Sequence, residues 1–281
     1  MRENMVPYLS PHGFHKLAYF EWGDAGNDNV LLCVHGLTRR GRDFDFLAQA
    51  LQGRYRVLCP DMPGRGQSDW LADKNDYDYV TYVAAAAALI ARSGAASIDW
   101  VGTSMGGLIG MMIAAQPNSP IRKLVLNDIG PFLPKSALDR IGGYVGTDPR
   151  YPSLAALEQK LREDSAPFGP LTDAQWHFLA EHYARRLPDG QWTSHYDPGI
   201  AVNIRKALPA QDINLWPVWQ AIKCPVLVVR GANSDLLTTE TARKMADRPH
   251  PTSVVEIPGV GHAPALLSDE QVALVKDWLL K

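Results

Sequence analysis

The chain has 281 residues, enough for one large α/β domain or for a core carrying a sizeable insertion. Apolar residues make up 46% and charged residues 21%, with a formal net charge of −2, which leaves no electrostatic footprint for nucleic acid or an anionic membrane. The opening Met-Arg-Glu-Asn-Met-Val-Pro-Tyr lacks the apolar core of a signal peptide, and no apolar run approaches the roughly 20 residues of a membrane span. The three cysteines, Cys33, Cys59 and Cys224, lie in or beside apolar runs and lack metal-ligand spacing. They read as buried free thiols in a cytoplasmic protein, with no metal site expected.

Apolar runs of strand type alternate with helical segments along the chain. Leu17–Trp22 is predicted as an early strand, and Val30–Val34 as a buried one that stops at His35-Gly36. Arg56–Cys59 follows, leading into the turn-rich Asp61-Met-Pro-Gly-Arg-Gly-Gln-Ser68, then an Ala-rich helix over Val80–Ala91. Ile98–Val101 is the next strand, Leu108–Ala115 the next helix, and Lys123–Leu126 a strand before Asn127-Asp128. Later strands are Val226–Val229 and Ser253–Ile257, and the last helix opens on a capping box of Ser268 with Gln271. Continuous apolar strands separated by helices predict a mostly parallel sheet covered on both faces.

Between about Pro131 and Pro217 the alternation stops. Helical patterns, prolines and aromatics dominate there, with no good strand. The expected organisation is therefore a core of residues 1–130 and 218–281 with a helical cap of residues 131–217 over the sheet's edge. Most of its aromatics are expected to form the cap's own small core. Trp176 and Trp216, with His35 from the core, are the candidates to line a pocket.

The chemistry centres on Gly102-Thr-Ser104-Met-Gly106, placed between a strand and a helix. A serine on such a sharp turn presents its hydroxyl above the sheet edge, and the flanking glycines make room for neighbouring backbone. The hydroxyl needs a base, and the base needs a carboxylate that fixes its tautomer. Of the eight histidines, His262 alone follows a core strand within a glycine-rich loop. Asp235, after Val226–Val229, is the expected acid, in the chain order Ser104, Asp235, His262. Asp128 is a rival, since it also ends a core strand, but it abuts Gly130-Pro131, where the chain leaves for the cap. The oxyanion donors expected are the backbone N–H groups of Met105 and Leu37. His35 reads as a loop brace, and Asp61 to Ser68 as a structural turn behind the oxyanion loop. That turn lacks the lysine of a nucleotide loop, and no dinucleotide fingerprint occurs, so no cofactor is expected.

These pieces together resemble the α/β-hydrolase fold superfamily, in its lidded, carboxylesterase-like branch. The matching residues are His35-Gly36, Asp61-x-Pro-Gly-x-Gly-x-Ser68, Gly102 to Gly106, Asp235 and Gly261-His262. The resemblance implies an α/β-hydrolase sheet with a helical cap inserted after the sixth strand. It also implies a cofactor-independent serine hydrolase that cleaves small-molecule carboxylic esters through an acyl-enzyme. The aromatic cap suggests apolar aliphatic or aryl esters, or oligomeric esters if the groove stays open. A serine at position 104 excludes the carboxylate-nucleophile dehalogenases and epoxide hydrolases of this fold. Carbon–carbon bond hydrolases, lactonases and a triad-retaining ligand receptor are the alternatives, and Arg205 and Trp216 are the candidate polar groups for the first. The sequence does not specify an oligomeric state.

Overall fold

The structure, a computed structural model, describes residues 1–206, 211–248 and 250–281. Eight strands form the central sheet: β1 (Arg2–Ser10), β2 (Gly13–Trp22), β3 (Val30–Val34), β4 (Arg56–Pro60), β5 (Ile98–Thr103), β6 (Ile121–Asn127), β7 (Val226–Gly231) and β8 (Thr252–Ile257). Their spatial order is β1-β2-β4-β3-β5-β6-β7-β8. The β1–β2 and β2–β4 pairs are antiparallel and every later pair is parallel. Strands β3 and β7 are buried along their whole length, which explains their unbroken Val and Leu runs.

Helices cover both faces. On one side lie α2 (Tyr79–Ser93) and α3 (Met105–Ala114); on the other lie α1 (Asp45–Leu51) and the C-terminal helix Asp269–Leu280. The α2 face that meets the sheet carries Ala85, Ala86 and Leu89, all buried. The small alanines allow close approach. The sheet is thus packed between two apolar layers, which is the α/β-hydrolase architecture expected.

Strand β7 pairs directly with β6, at Val226 against Leu124, so the chain between them is an insertion. It carries α4 (Lys135–Tyr144), α5 (Leu154–Asp164), α6 (Asp173–Tyr183), α7 (Ala201–Lys206) and α8 (Trp216–Ala221). Two short ribbons were not expected there. Phe132–Leu133 pairs with Ile213–Asn214 and so ties the start of the insertion to its end, and Ala184–Arg186 pairs with Trp192–Ser194. Segments of two or three residues are too short to show a period in sequence. Residues 207–210, inside the span expected as cap, lie outside the described residues.

One further element was missed and one expectation is corrected. Strand β1 was not foreseen: only one of its faces is buried, at Val6, Tyr8 and Ser10, and Pro7 breaks its β pattern. Proline is tolerated there because β1 is an edge strand. At the last helix Ser268 Oγ accepts from Gln271 N–H at 3.3 Å, but the buried Gln271 side chain accepts from Leu266 N–H at 2.8 Å and not from Ser268 N–H. The capping box is therefore half made.

Candidate active site

Ser104 stands between β5 and α3 with φ 50° and ψ −113°, a left-handed conformation that costs a non-glycine residue on the order of 1–3 kcal/mol. The glycines around it make the turn sterically possible. A Cβ on Gly102 would lie 2.3 Å from the Gly106 carbonyl oxygen, and one on Gly106 would lie 2.0 Å from that of Val34. Strand β5 and helix α3 thus touch through bare backbone, which holds the hydroxyl out at the carboxyl end of the sheet.

Ser104 Oγ is 2.9 Å from His262 Nε2, and His262 Nδ1 is 2.7 Å from Asp128 Oδ2. The expectation that Asp235 partners the histidine is corrected by this geometry. Asp128 itself has φ 55°, which turns its side chain back over the sheet edge beside β7. It is fully buried, and its carboxylate also accepts Gly231 N–H at 2.8 Å and Ser234 Oγ–H at 2.6 Å. Three donors on one buried carboxylate satisfy its charge without an ion pair to a surface cation.

Asp235 lies one residue beyond Ser234 and points instead to α4, where it makes two bonds to Arg140, at 2.7 and 2.8 Å. Partial burial works to raise the Asp235 pKa, but the bond and charge of Arg140 outweigh it and hold the carboxyl below its ordinary value.

The loop that carries His262 is fixed from two sides. Asn127 Nδ2 donates to the Pro264 carbonyl at 2.8 Å, and Gly261 N–H donates to the Pro167 carbonyl of the insertion at 2.6 Å. Opposite Ser104, a Cβ on Gly36 would lie 3.8 Å from the Ser104 Cβ, so the loop after β3 runs against the serine. Leu37 and Met105 both line the same cavity as Ser104. As the first residue of α3, Met105 presents an N–H with no acceptor inside the helix.

His35 is a brace, as expected. Its Nδ1 donates to the Gly36 carbonyl at 2.7 Å and its Nε2 accepts Met62 N–H at 2.9 Å. Burial pulls its pKa down to about 3, against the Gly36 bond, so the ring is neutral. The Asp61–Ser68 turn supports the loop after β3 directly. Arg65 Nε donates to the Leu37 carbonyl at 2.9 Å, and Asp61 accepts Gly41 N–H at 2.8 Å and Gln67 N–H at 2.9 Å. Gly66 has φ +53°, and a Cβ there would lie 1.9 Å from Asp61 Oδ2.

The cavity above Ser104 measures about 1580 Å³ and runs between the sheet edge and the insertion. His35 lines it, but neither tryptophan does among the described residues. Trp176 packs with Leu157, Leu161 and Leu179 in the insertion's own cluster, and Trp216 packs against the main core with Lys244 Nζ 4.5 Å above its ring. Tyrosines Tyr144, Tyr151, Tyr183 and Tyr196 face the cavity instead. Helical period alone did not separate these two groups, because both lie on short helices or ribbons.

Among the described residues one group has metal-ligand geometry: His12, Asp73 and Asp76, with ligand atoms within 4.8 Å of one another. None of the three lines the cavity, and Asp76 already bonds His12 Nδ1 and Ser10 Oγ, at 2.8 and 3.2 Å. No helix among the described residues is long and apolar enough to cross a membrane.

Comparison with known proteins points the same way as the geometry. Residues 31–275 match the alpha/beta hydrolase family. The chain is 49% identical over 284 residues to a 3-hydroxybutyrate-oligomer hydrolase of Cupriavidus necator, covering 99% of this chain and 97% of that protein. It is 26% identical over 250 residues to a 2-(acetamidomethylene)succinate hydrolase of Mesorhizobium japonicum, covering 85% and 83%. A solved alpha/beta hydrolase from Novosphingobium aromaticivorans superposes with a TM-score of 0.87 at 36% identity, covering 99% of this chain and 98% of that one.

Proposed function

Since the chain belongs to the alpha/beta hydrolase family, we propose that it is a carboxylic ester hydrolase acting on oligomers of 3-hydroxybutyrate or closely similar hydroxy acids. The observation that carries the reading is the hydrogen-bonded chain from Ser104 Oγ through His262 to Asp128 at 2.9 and 2.7 Å. With Nδ1–H given to Asp128, the imidazole presents a lone pair on Nε2 to the serine proton, as nucleophilic attack requires.

Ser104 Oγ attacks the ester carbonyl as His262 takes its proton. The negative charge on the tetrahedral oxygen is met by the N–H groups of Leu37 and Met105, beside the positive end of the α3 dipole. His262 then gives the proton to the departing alcohol oxygen as the carbon–oxygen bond breaks. Water, deprotonated by His262, attacks the acyl-enzyme, and the proton returns to Ser104 as the acid leaves. Asp128 stabilises the imidazolium through both halves. Asp235 takes no part in this proton path.

Residues 131–217 act in this reading as a cap over the catalytic edge. The cavity volume supports an oligomer, since ligand pockets of roughly 300–1,000 Å³ already accommodate drug-sized molecules and this one measures about 1580 Å³. A panel of 3-hydroxybutyrate dimer and trimer, p-nitrophenyl butyrate, a lactone and a meta-cleavage diketone tests the reading. Turnover of the esters without loss of the diketone supports it. Fast diketone cleavage would replace it with the carbon–carbon hydrolase reading, and one stoichiometric release without further turnover would replace it with a receptor.

A further inference from the structure

We propose that Arg140 is the specificity-determining residue that binds the free carboxylate of the hydroxy acid leaving the active site, so that the enzyme works from the carboxyl end of its oligomers. The inference rests on the oligoester reading above and deepens it. It starts from the ion pair between Arg140 on α4 and Asp235 on the loop after β7, which joins the insertion to the core at the wall of the catalytic cavity.

Its position relative to the catalytic histidine follows from the loop that carries its partner. Asp235 follows Ser234, whose hydroxyl bonds the same Asp128 oxygen as His262, and Arg140, Asp235, Ser104 and His262 all line one cavity. His262 must pass its proton to the departing oxygen, so the leaving group lies on the histidine's side of Ser104. In an oligomer of a 3-hydroxy acid that oxygen sits two carbons from the next carboxyl carbon. When the leaving unit is the terminal one, a full negative charge therefore stands on the leaving-group side of the cavity, and Arg140 lines that same cavity.

The pair has spare capacity for a ligand. Asp235 engages Arg140 Nε and Nη2, one edge of the guanidinium. A guanidinium has five N–H donors, so the edge formed by Nη1 and Nη2 remains as a fork that fits a second carboxylate. Tyr144, one turn further along α4, places its hydroxyl beside Arg140 and lines the same cavity. Both members of the pair are about half exposed, at 46% and 50% of the side chain, so their bond alone stabilises the fold little. Asp235 holds the guanidinium in place and tempers its charge, which lets the product acid depart.

Two other cations line the wall. Lys160 is paired with Asp164 on its own helix, and Arg39 is bonded through Nε and Nη2 to Asp43 with its Nη1 left unpartnered, but the Arg39 side chain is 10% exposed against 46% for Arg140, which makes Arg140 the more accessible guanidinium. Internal ester units carry no charge, so recognition by Arg140 selects the chain end without restricting chain length.

The test compares the 3-hydroxybutyrate dimer as free acid with its methyl ester, by kcat/KM in each enzyme, so that any general loss of activity cancels in the ratio. The intact wild type is expected to prefer the free acid. Arg140→Met should lower that ratio by about tenfold to a hundredfold, mostly through KM, and Arg140→Lys should restore part of it. A wild type that cleaves both forms equally overturns the proposal with no variant needed, as does an unchanged ratio in Arg140→Met. Cleavage of p-nitrophenyl butyrate but of neither dimer would overturn the oligoester reading, and this proposal with it.

Discussion

Ser234 donates its hydroxyl to Asp128 Oδ2 at 2.6 Å, the same oxygen that receives His262 Nδ1 at 2.7 Å. The loop after β7, where a triad acid was expected, therefore contributes a hydrogen-bond donor to an acid that stands after β6. The two strands are neighbours, so one buried position beside the imidazole can be filled from either.

Asp128→Asn should therefore reduce ester turnover by about 10⁴-fold, the scale on which loss of a triad carboxylate acts through the wrong imidazole tautomer. Asp235→Asn should cost at least about two orders of magnitude less on a p-nitrophenyl ester. Steady-state kinetics of both variants decide the matter, and a reversed order would return the acid's role to Asp235.

Ser104→Ala should remove activity on the scale of ~10⁶, and adding His262→Ala should cost little more, because the two side chains act as one unit. Additive losses in the double variant would show that the histidine works on something other than the serine.

Much of this was legible in the sequence. Gly102, Ser104 and Gly106 sit in a pattern whose steric meaning does not depend on the rest of the chain, and the structure places their backbones as close as the pattern requires. His262 stood out by following a core strand in a glycine-rich loop. The acid did not, because Asp128 and Asp235 both end parallel strands on the same edge. What separates them is a φ of 55° at Asp128 and the presence of Arg140 across the cavity, and neither leaves a mark in a one-dimensional pattern. The roles of Trp176 and Trp216 were illegible for a similar reason. Their burial is set by how the insertion folds onto the sheet, not by local period.

Gly66→Ala should destabilise the protein by roughly 1–3 kcal/mol from its backbone conformation alone. Displacing Asp61 adds to this, since the new Cβ would overlap the carboxylate that holds Gly41 and Gln67 N–H groups. Urea unfolding of the variant checks the size. Because the same turn carries Arg65, whose Nε bonds the Leu37 carbonyl, the variant should also lose activity before it unfolds. Normal kcat in a destabilised Gly66→Ala protein would show that the turn does not support the proposed oxyanion donors of the loop after β3.

Stability should fall as the solution is acidified, through two buried histidines that the chemistry does not use as bases. Burial draws the His35 pKa down to about 3, and burial, with the nearby charges of Arg40 and Arg39, draws His195 well below its ordinary value. In the unfolded chain an imidazole titrates near about 6.5. Below that pH the unfolded state binds protons that the folded state refuses, so the folded state loses ground as pH drops. The loss begins near pH 6.5 and continues towards the folded values, at up to about 1.4 kcal/mol per pH unit for each histidine. His195 Nδ1 accepts Gly66 N–H at 2.9 Å, and glutamine can supply an oxygen in its place. His195→Gln should therefore flatten the dependence of urea-unfolding free energy on pH by up to about one proton on the acid side of about pH 6.5. Equal slopes in wild type and variant would mean that His195 carries its charge in the native protein, contrary to its burial against two arginines.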